Sequence, residues 1–521
     1  MRNISLLFLA TIFSFGAVKA QGEMDAYKFS RNDLTGTARS VSMGGAFGAL
    51  GGDISGISIN PAGIGIYKNS EIVTTLNFQN TKTQTELNAG KIDDSKFKFT
   101  FDNLAFVSVF PLNSDVAPSL NVGFSYNRLK NFDRKYSMRG NNQTGSIADY
   151  MAHRATNNNI GNPNDLWVGS EDYNPFYDSN YDWNAIFGYS SYLIGLKDGT
   201  SSQYERQQIL NNKTINNDLF VYERGSINTY DFNIGTTFSD IVSWGMTLSL
   251  TDINYKMSSR YTEDFFDTND VNGGFDFFNE LRTEGTGVQV STGIIIKPIN
   301  ELRFGVSYHS PTWYKMTDTY EAYMDYDFSK YLPTSEPDTK GNIFTELSYM
   351  DYEFRTPDKW TFSAAGVIGQ TAIISVDYDL TNYQNMKLFR DGGGQLADDP
   401  NAYIKEDFRM SSTLRLGAEV RATPQFSIRA GYSWVQSPMK ANFKDNSKEV
   451  MTVGTTSNYI LDGDTNYFTY GLGYRFTKNF YTDVAFLMRS QKSDLYSYYG
   501  ADRATWKDNT FQGMMTVGYR F

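Results

Sequence analysis

Apolar and polar residues alternate along much of this chain with the two-residue period of a β-strand. At the C-terminus, Phe511, Met515, Val517, Tyr519 and Phe521 fall on one face, and Gln512, Thr516, Gly518 and Arg520 on the other. The same period runs through Phe468, Tyr470, Leu472, Tyr474 and Phe476, and through Phe426, Ile428, Ala430, Tyr432 and Trp434. Fourteen such segments begin near Glu71, Phe97, Ser119, Ser226, Ser243, Thr283, Glu301, Tyr352, Gln370, Asp407, Gln425, Thr465, Phe480 and Asn509. One greasy and one polar face per strand predicts an all-β protein, a transmembrane antiparallel β-barrel of about 14 strands whose outside meets lipid. The connections alternate in length as such a barrel requires. Short ones fall at 239–242, 422–424 and 477–479 and near Pro298; long ones at 264–282, 324–350, 387–406 and 438–464. Short turns on one side predict that side to be periplasmic, with both termini there.

The start of the chain departs from this pattern. Arg2, the apolar run Ile4 to Phe15 and the small-x-small site Val18-Lys19-Ala20 predict a signal peptide over 1–20. The chain therefore leaves the cytoplasm. The longest connection, 137–224, contains IADYMAHRA and WNAIFGYSSYLIGL, which predict short amphipathic helices. It also carries Trp167, Trp183, Phe176 and Phe187, more aromatic surface than a disordered tract has, and reads as a folded outer cap offering apolar surface.

Composition agrees with a membrane barrel. Aromatic residues make up 16% of the chain although the mean hydropathy is −0.45, because alternating strands average out as polar. A net charge of −11 leaves no basic surface for nucleic acid. Cysteine is absent, which removes disulfides, thiol catalysis, Cys-bound metals and the lipid anchor of a lipoprotein. The two histidines, His153 and His309, do not form a catalytic arrangement: Ser310 directly follows His309 and so faces the other side of a strand, and His153 sits in an outer connection. Gly392-Gly393-Gly394 lacks the Lys-Ser/Thr of a phosphate loop. No catalytic residue, metal ligand or cofactor is predicted.

Between the signal peptide and the first strand lies a run of glycines ending in Asn60-Pro61-Ala62-Gly63. Gly44, Gly45, Gly48, Gly51 and Gly52 permit close backbone approach, and Asn before Pro favours a turn. Residues 36–72, GTARSVSMGGAFGALGGDISGISINPAGIGIYKNSEI, resemble the N-terminal hatch of the FadL/TodX family of outer-membrane transporters. The resemblance implies three parts: the signal peptide, a hatch over 21–67 that plugs the barrel, and a barrel over 68–521. It implies a hydrophobic cargo such as a long-chain fatty acid, gating by Asn60, Pro61 and Ala62, and sideways exit into the outer-membrane lipid at a kinked third strand, where Gly123 is the flexible position. The aromatic C-terminus resembles the signal read by the barrel-assembly machinery, a further expected partner. A passive porin for small solutes, or a PorV-type barrel that holds a secreted protein, are the alternative readings.

A cargo carboxylate would need an interior cation. Alternation turns Arg415 and Arg429 inward. On the fifth strand the apolar set shifts from Met246, Leu248 and Leu250 to Ile253, Tyr255 and Met257. That switch of parity predicts a bulge near Thr251-Asp252 which turns Lys256 and Arg260 inward too. Interior acids such as Glu419 and Asp377 are the competing partners for these four cations.

Overall fold

A computed structural model of the protein describes residues 22–521 apart from 89, 170–172, 179, 212, 268–269, 331–338, 370, 397–399 and 447. The expected signal peptide lies outside the described residues. Fourteen antiparallel strands close a barrel: β1 (Glu71–Leu87), β2 (Gly90–Pro111), β3 (Ser119–Asn131), β4 (Thr214–Phe238), β5 (Val242–Asp267), β6 (Asp270–Ile299) and β7 (Leu302–His309), followed by β8 (Lys359–Ile368), β9 (Ala372–Asn382), β10 (Met410–Arg421), β11 (Phe426–Val435), β12 (Thr465–Arg475), β13 (Phe480–Tyr496) and β14 (Ala504–Arg520). Each strand pairs with the next, and β14 returns to β1 with Arg520 opposite Glu71. The predicted number and order hold. The eighth strand starts at Lys359, because the alternating residues around Tyr352 belong to a separate outer strand, Ser348–Arg355.

Near the short turns each strand presents apolar residues outward and small or polar ones inward. On β14, Met515 and Tyr519 are about half exposed while Gln512 and Thr516 are buried. Farther from the short turns the polarity inverts without any change of register. β5 pairs with β4 and β6 continuously through Thr251-Asp252, so the expected bulge is absent and the outward residues remain Asp252, Asn254, Lys256 and Arg260. Ile253, Tyr255 and Met257 are the inward, buried set. The physical reason is height. β4, β5 and β6 are 25, 26 and 30 residues long, whereas a tilted strand crosses the hydrocarbon in about 10. Beyond the lipid the outside of the sheet meets water and the inside packs on protein. The expected loop at 264–282 is strand in all its described residues for the same reason, with Phe265, Phe275 and Phe277 buried, and the expected loop at 324–350 contributes strand at 324–327, Lys340–Phe344 and 348–350.

The outer connections fill the inside of this extension. The helices Ile147–Asn157 and Trp183–Ser190 form where amphipathic helices were expected, capped by Ser146 and Asp182. Their aromatics turn inward: Phe187 packs on Phe277 at 4.9 Å and Trp183 on Tyr320 at 5.9 Å. The cap therefore spends its apolar surface on the barrel extension instead of presenting it outside.

The wall is incomplete at one place. β3 pairs with β2 only over Asn103 to Pro111, so from Gly90 to Asp102 that edge of β2 has no strand partner among the described residues. The β3–β4 register breaks at Leu129. After Leu129 the chain steps inward while staying paired to β4, with Arg134 opposite Glu223 and Arg139 opposite Asp218, and this strand Arg134–Gln143 also lies over the inner face of β1, where Thr83 donates to the Lys135 carbonyl at 2.7 Å. The irregularity of the third strand thus sits at Leu129. At Gly123 the register is unbroken, and a side chain there would come within 3.1 Å of Ile64.

Candidate functional site

Residues 22–67 pack against inward positions on opposite sides of the barrel. Asn60 caps a 3-10 turn, Pro61–Ile66, accepting from the Ala62 N–H at 3.1 Å, while Pro61 occupies the position where no donor is needed. The Asn60 amide donates to the Gly48 carbonyl at 2.7 Å, fastening this turn to the glycine-rich loop before it. Ser307 and His309 hold the Ile59 carbonyl at 2.7 and 3.0 Å, and Asn121 donates to the Ile64 and Tyr67 carbonyls at 2.7 and 3.0 Å. His309 is thereby a wall-to-segment contact.

Two rows of glycine make the wall thin where this segment touches it. Gly235, Gly245 and Gly293 lie side by side on β4, β5 and β6. Added side chains would collide with Ile64, the Pro61 carbonyl and Asn60 in turn. On another wall Gly417 and Gly431 are paired across β10 and β11, and side chains there would strike Met43 and Gly44. Gly44 and Gly45 both have positive φ, 64° and 73°, which turns the chain back from that wall.

Of the four cations expected to point inward, the structure brings two to the segment. Arg429 binds Glu419 at 2.6 Å and Asp483 at 2.5 Å, and Glu419 also holds Arg39 of the segment at 3.0 Å. Arg415 pairs with Asp379 at 2.9 Å, and the neighbouring acid Asp377 accepts from the Gly48 N–H at 2.9 Å. These buried charges are neutralised by wall acids. Lys256 and Arg260 face outward on the sheet extension, which corrects the inward orientation expected for them.

The segment continues to the long-loop end. Helix α1 (Glu23–Ser30) packs Tyr27 against Tyr383 and Phe408, and Glu23 accepts from the Met451 N–H at 3.1 Å. Phe521 lies at the opposite end, its N–H donating to the Ser70 carbonyl at 3.0 Å. The two ends of the described chain are thus at opposite ends of the barrel, not together as expected, because the segment threads its whole length. Burial pushes the Glu23 carboxyl up to about 8, and Asp407 and Asp25 push it the same way while the Met451 N–H opposes them. With the docked value above the ordinary 4.5, docking of α1 is firmest below pH 4.5 and weakens as pH rises through 8. Hydrogen exchange over 22–30, corrected for intrinsic rates, is expected to be faster at about pH 9 than at about pH 6, and Glu23→Gln to remove the difference.

Between α1, the inward turn after β3 and the wall lies a cavity of about 150 Å³. Met24, Phe132, Tyr255, Met257, Leu281 and Val453 give it an apolar side, with Phe132 edge-on to Tyr255 at 4.9 Å. Its polar side carries five cations, four of them paired: Lys28 with Asp25, Arg31 with Asp462, Arg134 with Glu223 and Arg489 with Asp508. Lys130 makes no ion pair among the described residues and donates to the Lys28 carbonyl at 2.5 Å. It follows the irregular Leu129, beside the incomplete wall. Sequence reading missed this residue: Lys130 lies where strand alternation fails, although alternation alone would have turned Arg489 inward.

Residues 228–515 match the family model of outer membrane protein transport proteins, OMPP1/FadL/TodX. The chain belongs to this family. Its fold is similar to that of a FadL homologue from Pseudomonas aeruginosa, at 13% identity and a TM-score of 0.51, over 94% of this chain and 99% of the other. The toluene transporters TbuX of Ralstonia pickettii and TodX of Pseudomonas putida match over the same shares, at 13% and 10% identity and TM-scores of 0.48 and 0.49. No curated protein matches at the sequence level. FadL/TodX-family proteins are outer-membrane barrels, so the greasy face of these strands meets lipid.

Proposed function

We propose that the protein carries small hydrophobic molecules inward across the outer membrane, from the long-loop end into the cavity and then sideways through the gap beside β2. The observation that carries this reading is the position of the cavity: its lining residue Asp133 meets Lys98 at 3.3 Å, in the stretch of β2 from Gly90 to Asp102 that lacks a partner. Residues 22–67 act as the hatch, fastened by Asn60, Pro61 and Ala62, and bar the direct route through the lumen. Sideways release follows from solvation, since each methylene leaving a protein site for water costs about 0.8 kcal/mol, and release into hydrocarbon avoids that cost. A cavity of about 150 Å³ has room for one aromatic ring, which its apolar side would face, so the site favours ring-sized cargo or one end of an acyl chain, the rest reaching along the gap.

Lys130 is the residue that meets a cargo's polar end. Cells expressing the protein are expected to accumulate radiolabelled toluene and a long-chain fatty acid while excluding a small sugar. Lys130→Met is expected to lower uptake of the carboxylate about tenfold, the loss of one charge-assisted hydrogen bond, and to leave toluene uptake unchanged. Wild-type cells that take up neither compound, with the barrel assembled, would sink the transport reading.

A further inference from the structure

A single rung of side chains crosses the outer face of the sheet extension. Phe220 of β4 stands opposite Arg260 of β5, Arg260 opposite Phe278 of β6, Phe278 opposite Tyr323, and Tyr323 opposite Phe344. Phe220, Tyr323 and Phe344 are 40%, 39% and 64% exposed, and the Phe278 and Tyr323 rings stack at 4.5 Å and 10°. These rings do not belong to the lipid face. On β5 the outward apolar run ends at Leu250, and Asp252, Asn254, Lys256 and Ser258 intervene before Arg260. On β6, Glu284, Arg282 and Glu280 intervene before Phe278. At ~3.3 Å per residue the rung stands on the order of 30 Å along the strand from the last lipid-facing leucine.

The neighbouring rungs are acidic. One carries Asp218, Asp276 and Asp325 with Thr262 and Asn342 between and beside them, Asp218 being paired with Arg139 at the row's end and Asp276 lying 3.9 Å from Arg260, and the other carries Glu280 opposite Glu321. We propose that this rung is a platform for a neutral polysaccharide, the saccharide chain of the lipopolysaccharide that surrounds the barrel. Strands recur every ~4.8 Å, about the advance of one hexose in an extended chain, so consecutive sugars meet consecutive side chains. The apolar faces of pyranose rings cover the aromatic rings, which a sheet leaves exposed in quantity only for a reason. Their hydroxyls donate to the carboxylates on either side, in charge-assisted hydrogen bonds. Asp325, Glu280 and Glu321, which make no ion pair among the described residues while Asp218 and Asp276 are paired with Arg139 and Arg260, repel phosphorylated or acidic glycans and nucleic acid, and they would be costly against an acyl chain. A protein partner would need an apolar core wider than one rung. The height above the lipid is that of the saccharide layer.

The test uses the full-length protein in nanodiscs and three probes: lipid-free O-polysaccharide released from smooth lipopolysaccharide, deep-rough lipopolysaccharide that lacks it, and dextran. The wild type is expected to bind the released polysaccharide more tightly than dextran. Tyr323→Ala combined with Phe344→Ala should weaken this at least about tenfold, the loss expected of two stacking rings, with toluene uptake retained. Asp276→Asn combined with Asp325→Asn, which keeps the rings, should weaken it as well. No binding by the wild type, equal binding by both double variants, binding of the rough form alone, or a preference for dextran would each overturn the assignment.

Discussion

Valine at Gly245 and Gly293 together is expected to open the barrel to small polar solutes. The two glycines lie side by side on β5 and β6, and their missing side chains leave the space taken by the Pro61 carbonyl and by Asn60. A flexible neighbour could step aside, but here the obstacle at Gly245 is backbone, held in a 3-10 turn whose Asn60 cap is itself fastened to Gly48. Overpacking in a confined site costs about 1–3 kcal/mol per position, and two adjacent insertions fall on one short contact. The strands themselves lose nothing, since valine suits a β-strand. The barrel should therefore assemble with residues 22–67 displaced. In planar bilayers the double variant is expected to show a steady conductance that the wild type lacks, and cells expressing it should admit a small sugar. Gly366→Val is the matched control, because a side chain there meets nothing within 4 Å. A double variant as closed as the wild type, with the segment still shielded from protease, would show that the glycine rows do not seat residues 22–67.

The glycine rows also show what could be read from the sequence and what could not. The barrel was legible because lipid imposes one rule on every strand: apolar outward, small or polar inward. Arg415 and Arg429 obey that rule and point inward as alternation requires. Lys256 and Arg260 lie above the lipid, where the rule reverses; their neighbours Tyr255 and Met257 looked like a lipid face after a bulge and are instead a protein core. Height along a strand is not written in its period, and so a reversal of polarity at constant register looks like a change of register at constant polarity. Gly235, Gly245 and Gly293 were visible as glycines in predicted strands, but that they align depends on register, which sets Gly245 opposite Gly235 across a tight hairpin and opposite Gly293 across what reads in the sequence as a long connection. Lys130 was hidden for the opposite reason: the site lies where regular pairing stops.

Closing that gap is expected to stop transport while leaving the barrel and the packing of residues 22–67 intact. The free edge of β2 faces the turn after β3, and Lys98 reaches across to Asp133 at 3.3 Å. Lys96 meets the Tyr222 hydroxyl at 2.8 Å and Lys135 meets Asp94 at 3.5 Å on the same seam. In both ion pairs the acid is covered but the lysine is more than a third exposed, so water screens the attraction and the seam can part for a cargo. The absence of cysteine makes it simple to lock. Lys98→Cys with Asp133→Cys, joined by a short cleavable bis-maleimide, should reduce uptake of toluene and fatty acid by an order of magnitude or more, since a covalent tie cannot be opened by thermal energy at ~0.6 kcal/mol. Cleaving the linker should restore uptake in the same cells, which separates a closed seam from a misfolded barrel. Each single-cysteine variant treated alike serves as control. Uptake that persists with the linker in place would mean that cargo leaves by another path, and the hatch itself would then be the part that has to move.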